Sequence, residues 1–115
     1  AELNFKLIIT TDHGTINVKN PTKVIGNKDL SSNLRYKTGK SLSFNYKEVI
    51  SFMEPNKIGL PSVSINSPFI FAKNESFFAY PNNFNHYVSY FKDTYQHGGI
   101  SMEEMITPYV VLDPK

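Results

Sequence analysis

The apolar positions of this 115-residue chain fall mostly into short runs, which predict strands. Residues 7–9 are continuously apolar, a pattern typical of a buried strand that is covered on both faces. Residues 14–19 alternate apolar with polar side chains and predict a strand with one face in water. Two aromatic runs, 69–72 and 77–80, are separated by a short polar loop and predict a β-hairpin. The last run, 109–112, predicts a central or partly covered strand.

Other segments carry apolar residues at helical spacing. Residues 81–95 are the best helix candidate, with one face that we expect to pack on the core. That face consists of Phe84, Tyr87, Val88 and Phe91. Residues 45–53 predict a shorter helix capped by Asn45. Ser101 and Glu104 have the spacing of a capping box, so a further helix is expected to begin after Ser101. Together these elements predict an α/β fold.

The first strand ends at two adjacent side chains that can bind metal, Asp12 and His13, followed by Gly14. Open α/β sheets place ligands just beyond the carboxyl ends of their strands. A carboxylate beside an imidazole suits zinc or manganese better than calcium or magnesium. A plain turn remains open as the alternative, with Asp12 capping local amides and His13 half exposed. A second histidine followed by glycines, His97, strengthens the metal interpretation.

A cluster of three cations follows the polar connection 26–33: Arg35, Lys37 and Lys40. Guanidinium and ammonium donors stabilise phosphoryl oxygens, so these residues are candidates for binding a phosphate substrate. Arg35 is the first candidate because its planar fork is bidentate. A solvated basic loop remains the alternative.

The composition removes several classes of protein. Apolar residues make up 40% of the chain and charged residues 19%, which argues against disorder. The net charge of +2 is too small to suggest binding of nucleic acid through bulk electrostatics. The absence of cysteine excludes thiol chemistry and disulfides. No apolar run approaches the roughly 18 residues that span a bilayer, so we expect no membrane partner. The absence of cysteine is compatible with a cytoplasmic location, which we expect.

Five blocks of residues resemble one family. They are Thr10-Thr11-Asp12-His13-Gly14, Lys19-Asn20-Pro21, Asn33-Leu34-Arg35-Tyr36-Lys37, Phe78-Ala79-Tyr80-Pro81-Asn82-Asn83 and His97-Gly98-Gly99-Ile100-Ser101-Met102-Glu103-Glu104-Met105. In this order they resemble the C-terminal part of the alkaline phosphatase superfamily, specifically its PglZ branch. The resemblance implies that residues 1–115 are the C-terminal portion of one such domain, without the part that carries the nucleophile. The implied fold is an α/β sandwich fragment with a mostly parallel central sheet flanked by helices, plus a β-hairpin insertion.

The resemblance also implies a site with two zinc ions, or manganese in their place. Asp12 and His13 match the adjacent pair that shares the metal bound to the Thr or Ser nucleophile, which would lie upstream. His97 matches the last histidine, which binds the second metal. Glu103 and Glu104 are expected to act as caps or hydrogen-bond acceptors behind the ligands. The implied reaction is hydrolysis of a phosphate ester, on a phosphate-ester or nucleotide substrate, with this chain inactive without the remainder of the parent domain.

The same blocks are similar to those of two-component response regulators of Bacteroidetes that are linked to type IX secretion. This similarity implies homodimerisation through the parent protein, a sensor kinase, and partners in transcription or secretion signalling. Two alternatives remain open. One is a non-catalytic signalling or metal- or nucleotide-binding module of the same fold. The other is a β-rich interaction domain whose histidines are incidental.

Overall fold

A computed structural model describes residues 4–26, 32–61 and 67–114. Its strands are β1 (Leu7–Thr10), β2 (Ile16–Val18), β3 (Asn20–Lys23), β4 (Tyr36–Thr38), β5 (Val49–Phe52), β6 (Phe69–Ala72), β7 (Ser76–Ala79), β8 (Thr94–Gln96) and β9 (Tyr109–Leu112). Its helices are α1 (Phe84–Phe91), α2 (Met102–Met105) and a 3₁₀ helix, Pro55–Ile58. The fold is therefore mixed α/β, as predicted. Most of the predicted polar connection, residues 27–31, lies outside the described residues.

The strands form four small sheets within the described ranges. Strands β1 and β9 pair antiparallel, as do β2 and β8, and β6 lies between β4 and β5 in an antiparallel sheet of three. Parallel pairing is confined, in this part of the chain, to β3 and β7. The expected mostly parallel sheet with flanking helices is thus not formed by these residues alone.

Strands β6 and β7 occur where two aromatic strands were predicted, but the predicted hairpin between them is wrong. They belong to different sheets, β6 with β4 and β5, and β7 with β3. The reason lies in the core, because β7 is buried on both faces. Each face of β7 packs into its own core cluster. Phe78 contributes to the first cluster, and Phe77 and Ala79 contribute to the second. The other members are Val24, Val49, Ile70 and Ala72 in the first cluster and Ile16 and Val18 in the second. A strand that packs between two core clusters has both faces buried. An isolated hairpin would not bury both faces of the strand.

The predicted helix over residues 45–53 is wrong, because Val49–Phe52 forms strand β5. β-branched residues fit a pleated surface better than a helix, and pairing with β6 buries the Val49 side chain. The predicted helix over 81–95 is confirmed only as α1. It ends at Phe91 because the backbone turns at Asp93, which has a φ of 62°, and Thr94–Gln96 then pairs with β2.

Strands β1 and β9 occur where they were predicted, but their predicted burial is wrong. Their apolar side chains are between 40% and 50% exposed: Leu7, Ile8, Ile9, Val110, Val111 and Leu112. The physical reason is that the two strands pair only with each other in the described part of the chain, so both faces of the ribbon face water. No helix formed by the described residues has the length and apolar character needed to cross a membrane.

Candidate functional site

The loop after β1 and the loop after β8 meet, and each carries one of the predicted histidines. The imidazole rings of His13 and His97 stack with their centroids 3.9 Å apart and their planes 13° from parallel. The intervening chain brings the rings together because β2 leaves the first loop and pairs with β8, which leads into the second. The two glycine-flanked histidines singled out in the sequence therefore lie at one place.

His13 is held in a defined orientation next to Asp12. Its Nδ1 lies 2.8 Å from the Gly14 carbonyl oxygen, which only accepts hydrogen bonds, so Nδ1 is the donor. In the neutral ring this leaves the lone pair on Nε2, which lies 3.6 Å from Oδ1 of Asp12. Two ligands of a tetrahedral zinc ion at ordinary bond lengths stand about 3.4 Å apart. The Asp12 and His13 donors thus have the chemistry and nearly the spacing of a zinc-binding pair.

This pair is not a complete site for one ion. Among residues 4–26, 32–61 and 67–114, no group of three or more His, Asp, Glu or Cys side chains is arranged to hold a metal. The Asp12 side chain is 89% exposed, and His97 is exposed as well. The donor set fits zinc in kind, but in this part of the chain it supplies fewer donors than zinc requires, which is usually four.

The first loop is anchored at Gly14, which lies against the backbone carbonyls at the C-terminal end of α2. The Gly14 backbone N–H donates to the Glu104 carbonyl oxygen over 2.9 Å. A Cβ at this position would overlap the backbone carbonyl of Glu103 and come within 3.1 Å of the Ile106 carbonyl. Glycine is therefore required here because two backbone segments approach each other too closely for any side chain.

The second loop is held by two side chains. Gly98, with a φ of 98°, packs against the Asn33 amide, and Gly99 packs against the Glu104 carboxylate, so that a Cβ on either would overlap its neighbour. The Asn33 side chain donates to the His97 carbonyl over 3.1 Å, and Glu104 Oε1 accepts the Gly99 N–H over 2.9 Å. The predicted role of these glycines, close packing behind His97, is confirmed.

A buried ion pair lies directly behind this loop. Arg35 donates from Nε and Nη2 to the two oxygens of Glu104, over 2.8 and 2.9 Å, and from Nη1 to the Ser76 carbonyl. Both side chains are essentially excluded from water. The Glu104 carboxylate also accepts the Ser101 backbone N–H over 3.2 Å, as the predicted capping box requires. Glu104 is thus a hydrogen-bond acceptor behind the loop, as expected from the sequence.

The environment of Glu104 favours its ionised form. Burial acts to raise the pKa of this carboxyl, but the hydrogen bonds from Arg35 and Ser101, the charge of Arg35 and the Gly99 amide outweigh burial. The pKa therefore lies below its ordinary value. A charged carboxylate is the form that can accept all of these donors at once.

The three basic candidates for substrate binding occupy different environments. Arg35 is fully buried with its guanidinium on Glu104 and Ser76. Lys37 is also buried, with Nζ 4.9 Å from the centre of the Tyr80 ring, beside a cavity of about 170 Å³. Burial lowers the pKa of the Lys37 amine to about 8. Lys40 is exposed.

Sequence reasoning missed the role of Asn33. Its Oδ1 accepts the backbone N–H groups of Arg35 and Tyr36, over 2.7 and 3.1 Å, while its amide reaches His97. Asparagine side chains often accept the backbone N–H two residues further on, so an asparagine just before a predicted strand was the available indication. Its contact with His97 depends on the tertiary structure and has no local indication.

The mixed α/β fold fits the family that the sequence comparison finds. Residues 3–112 match the family model described as the BREX system PglZ alkaline phosphatase-like domain. The chain therefore belongs to the PglZ family, within the alkaline phosphatase-like proteins. No curated protein matches the chain in sequence.

Proposed function

We propose that this chain supplies part of a metal-dependent site that hydrolyses phosphate esters, with Asp12 and His13 on one zinc ion and His97 on a second. The observation that carries the proposal is the stacking of the His13 and His97 rings, with centroids 3.9 Å apart. The contact brings one ligand of each proposed ion to the same place, as a site whose two ions lie roughly 3.5–4 Å apart requires. Membership of an alkaline phosphatase-like family supports the same reaction class.

The residues of the chain prepare the site for this chemistry. The Gly14 carbonyl holds the proton of His13 on Nδ1 and leaves Nε2 free to bind. The Asp12 carboxylate adds a negative charge 3.6 Å from Nε2 of the same ring. Bound zinc would neutralise charge on the attacking and leaving oxygens of a phosphoryl group. The exposure of Asp12 and His97 leaves room for a phosphate ester or nucleotide to approach.

We place the chain in a larger domain with a mostly parallel central sheet flanked by helices. The apolar ribbon of β1 and β9 supports this, because it exposes hydrophobic side chains on both faces and both of its outer edges lack a partner strand within the described residues. The nucleophilic Thr or Ser and the missing metal ligands would come from the rest of that domain. Without them this chain is expected to be inactive.

The proposal extends to a protein of the PorX type, a cytoplasmic response regulator linked to type IX secretion. Its partners would be a sensor kinase, transcription or secretion-signalling proteins and a second copy of itself. The resemblance of the five sequence blocks supports this extension, including the asparagine-rich turn before α1. Phosphorylation-dependent dimerisation, measured by light scattering on the full-length protein, would test it; a monomer in both states would contradict it.

The reaction is tested on the full-length protein by measuring metal content and hydrolysis of bis(p-nitrophenyl) phosphate. We expect about two zinc ions per chain, the number in a two-metal site. Asp12→Ala and His97→Ala should each lose metal and activity together. His86→Ala is the matched control, because His86 is exposed on α1 and packs against Tyr87 and Tyr90.

Two results would count against a hydrolase. If the wild-type protein binds no metal, or if activity is unchanged in Asp12→Ala and His97→Ala, the proposed site is wrong. If both histidines bind zinc but no phosphate ester is hydrolysed, the metal- or nucleotide-binding module becomes the better description of the chain.

A further inference from the structure

We propose that Glu104 is the positioning residue for both histidine loops, with Arg35 as the counter-charge that keeps its carboxylate in place. The inference rests on the proposed function, because it concerns how His13 and His97 are brought to one site. Glu104 does not point at substrate or metal in this account. It acts through the backbone of the two loops that carry the histidines.

The side chain of Glu104 fixes the His97 loop. Its Oε1 accepts the Gly99 N–H over 2.9 Å, and its Oε2 accepts the Ser101 N–H over 3.2 Å. The loop is therefore held on the C-terminal side of His97 by one carboxylate. Gly99 is buried, and its missing Cβ is what allows the carboxylate to lie against the backbone. A loop held by two charge-assisted hydrogen bonds has few alternative positions for its histidine.

The backbone of the same residue fixes the His13 loop. The carbonyl of Glu104 accepts the Gly14 N–H over 2.9 Å, and Gly14 in turn accepts the hydrogen bond from His13 Nδ1. One residue of α2 thus contacts both loops, one through its side chain and the other through its main chain. A shift of Glu104 would move the two stacked rings relative to each other.

Arg35 and Asn33 complete the arrangement from the other side. Arg35 covers both carboxylate oxygens, so the charge of Glu104 is balanced inside the protein. Asn33 accepts the Arg35 backbone N–H through Oδ1 and donates to the His97 carbonyl through its amide. These contacts form a closed chain that begins and ends on the second loop, running from His97 through Asn33, Arg35 and Glu104 to Gly99. A carboxylate is needed because every group that faces it is a hydrogen-bond donor. The amide of glutamine has only one acceptor oxygen, and its NH₂ group would face other donors.

The test compares Glu104→Gln with Glu103→Gln in the full-length protein. Glu103 is the neighbouring residue of the same helix and its side chain is exposed, so it controls for charge and for helix α2. In the metal-free protein, NMR reports the hydrogen exchange of the Gly99 amide and the contact between the His13 and His97 rings. Zn²⁺ alone is then titrated, and kcat and KM are measured with zinc in excess.

We expect Glu104→Gln to lose the protection of the Gly99 amide and the contact between the rings. Its Zn²⁺ affinity should fall by about 10- to 100-fold, the usual effect of removing a group that orients a ligand. The loss should appear in kcat more than in KM, because Glu104 is buried and acts through the two histidine loops. If Glu104→Gln keeps the ring contact and binds Zn²⁺ as Glu103→Gln does, the inference is wrong while the proposed function stands.

Two further variants keep the outcome interpretable. Arg35→Lys keeps the positive charge but loses the two-pronged hydrogen bond to Glu104. It should weaken Zn²⁺ binding and the contact between the rings less than Glu104→Gln does, and it serves as the test if Glu104→Gln fails to fold. Val24→Ala destabilises the core away from the site, so equal weakening of Zn²⁺ binding by Val24→Ala would overturn the positioning role. If the wild type binds no Zn²⁺ and yet Glu104→Gln alone separates the rings, the hydrolase proposal fails and the positioning role holds.

Discussion

Removing either partner of the buried Arg35–Glu104 pair should destabilise the protein strongly and unequally. Both side chains are excluded from water, so the remaining partner becomes an uncompensated charge in the interior. After Arg35→Met, the Glu104 carboxylate still accepts the N–H groups of Gly99 and Ser101. After Glu104→Leu, the guanidinium retains only the Ser76 carbonyl among the partners described. Glu104→Leu should therefore cost more.

The magnitudes follow from the usual cost of breaking a buried pair. We expect a loss in the free energy of unfolding of about 3 kcal/mol for Arg35→Met and about 5 kcal/mol for Glu104→Leu. The double variant removes both charges, but it leaves the Gly99 and Ser101 N–H groups without their acceptor and the Ser76 carbonyl without its Arg35 donor. At about 2 kcal/mol for each of these three groups, the double variant should lose about 6 kcal/mol, compared with about 8 kcal/mol for the sum of the single variants. The coupling energy is therefore expected to be about 2 kcal/mol.

The assay is urea unfolding followed by far-UV circular dichroism, with all four proteins of the cycle measured under one condition. Glu75→Gln is the control, because Glu75 forms an exposed ion pair with Lys19, which should contribute little. Additive effects of Arg35→Met and Glu104→Leu would show that the two charges are not coupled in the folded protein. A cost for either single variant as small as that of Glu75→Gln would contradict the expected magnitudes.

Two other predictions concern single positions. Gly14→Ala should lower the free energy of unfolding by about 1–3 kcal/mol and displace the His13 loop, because the added Cβ would overlap the Glu103 backbone. Gly59→Ala is the control: its Cβ would meet open space, so only the φ of 78° is unfavourable and the cost should be about 1 kcal/mol. Equal thermal unfolding of the two variants would contradict this prediction. Folded Lys37 loses its proton near pH 8, while the unfolded chain keeps the proton up to about 10.5, so the unfolded state binds more protons between these values. The free energy of unfolding of the wild type should therefore rise relative to that of Lys37→Met as the pH increases through this window. Urea titrations at pH 7 and 10 measure this, and the same difference between the two proteins at both pH values would rule out a lowered pKa of Lys37.

The local features of the site were predictable because they depend on short-range chemistry. Two histidines followed by glycines indicated tight loops, and the capping-box spacing located the start of α2. The structure confirms both, since Gly14 and Gly99 lie where a side chain would collide with a neighbour and α2 begins directly after Ser101.

Features that depend on distant parts of the chain were predicted less well. Residues 45–53 have apolar positions that suit either a helix or a strand, and pairing with β6 decides for the strand. The hairpin between β6 and β7 was a local inference that the burial of β7 on both faces overrides. A guanidinium binds a phosphate and a carboxylate with the same geometry, so the sequence could not indicate that Arg35 binds Glu104.

The burial of β1 and β9 shows how a correct pattern can still mislead. Continuous apolar runs predicted two strands, and both are present. The same pattern predicted cover on both faces, whereas the described residues leave the ribbon exposed. The pattern indicates the environment that suits the strands, and under our proposal the rest of a larger domain supplies it.

The most direct test of the two-metal account is X-ray diffraction from crystals of the zinc-loaded full-length protein, with anomalous data collected at the zinc edge. We expect one anomalous peak within about 2.1 Å of His13 Nε2, shared with the Asp12 carboxylate, and a second peak at bonding distance from a nitrogen of the His97 ring. Crystals grown in zinc that show no peak at either ring, or zinc bound only elsewhere, would contradict it.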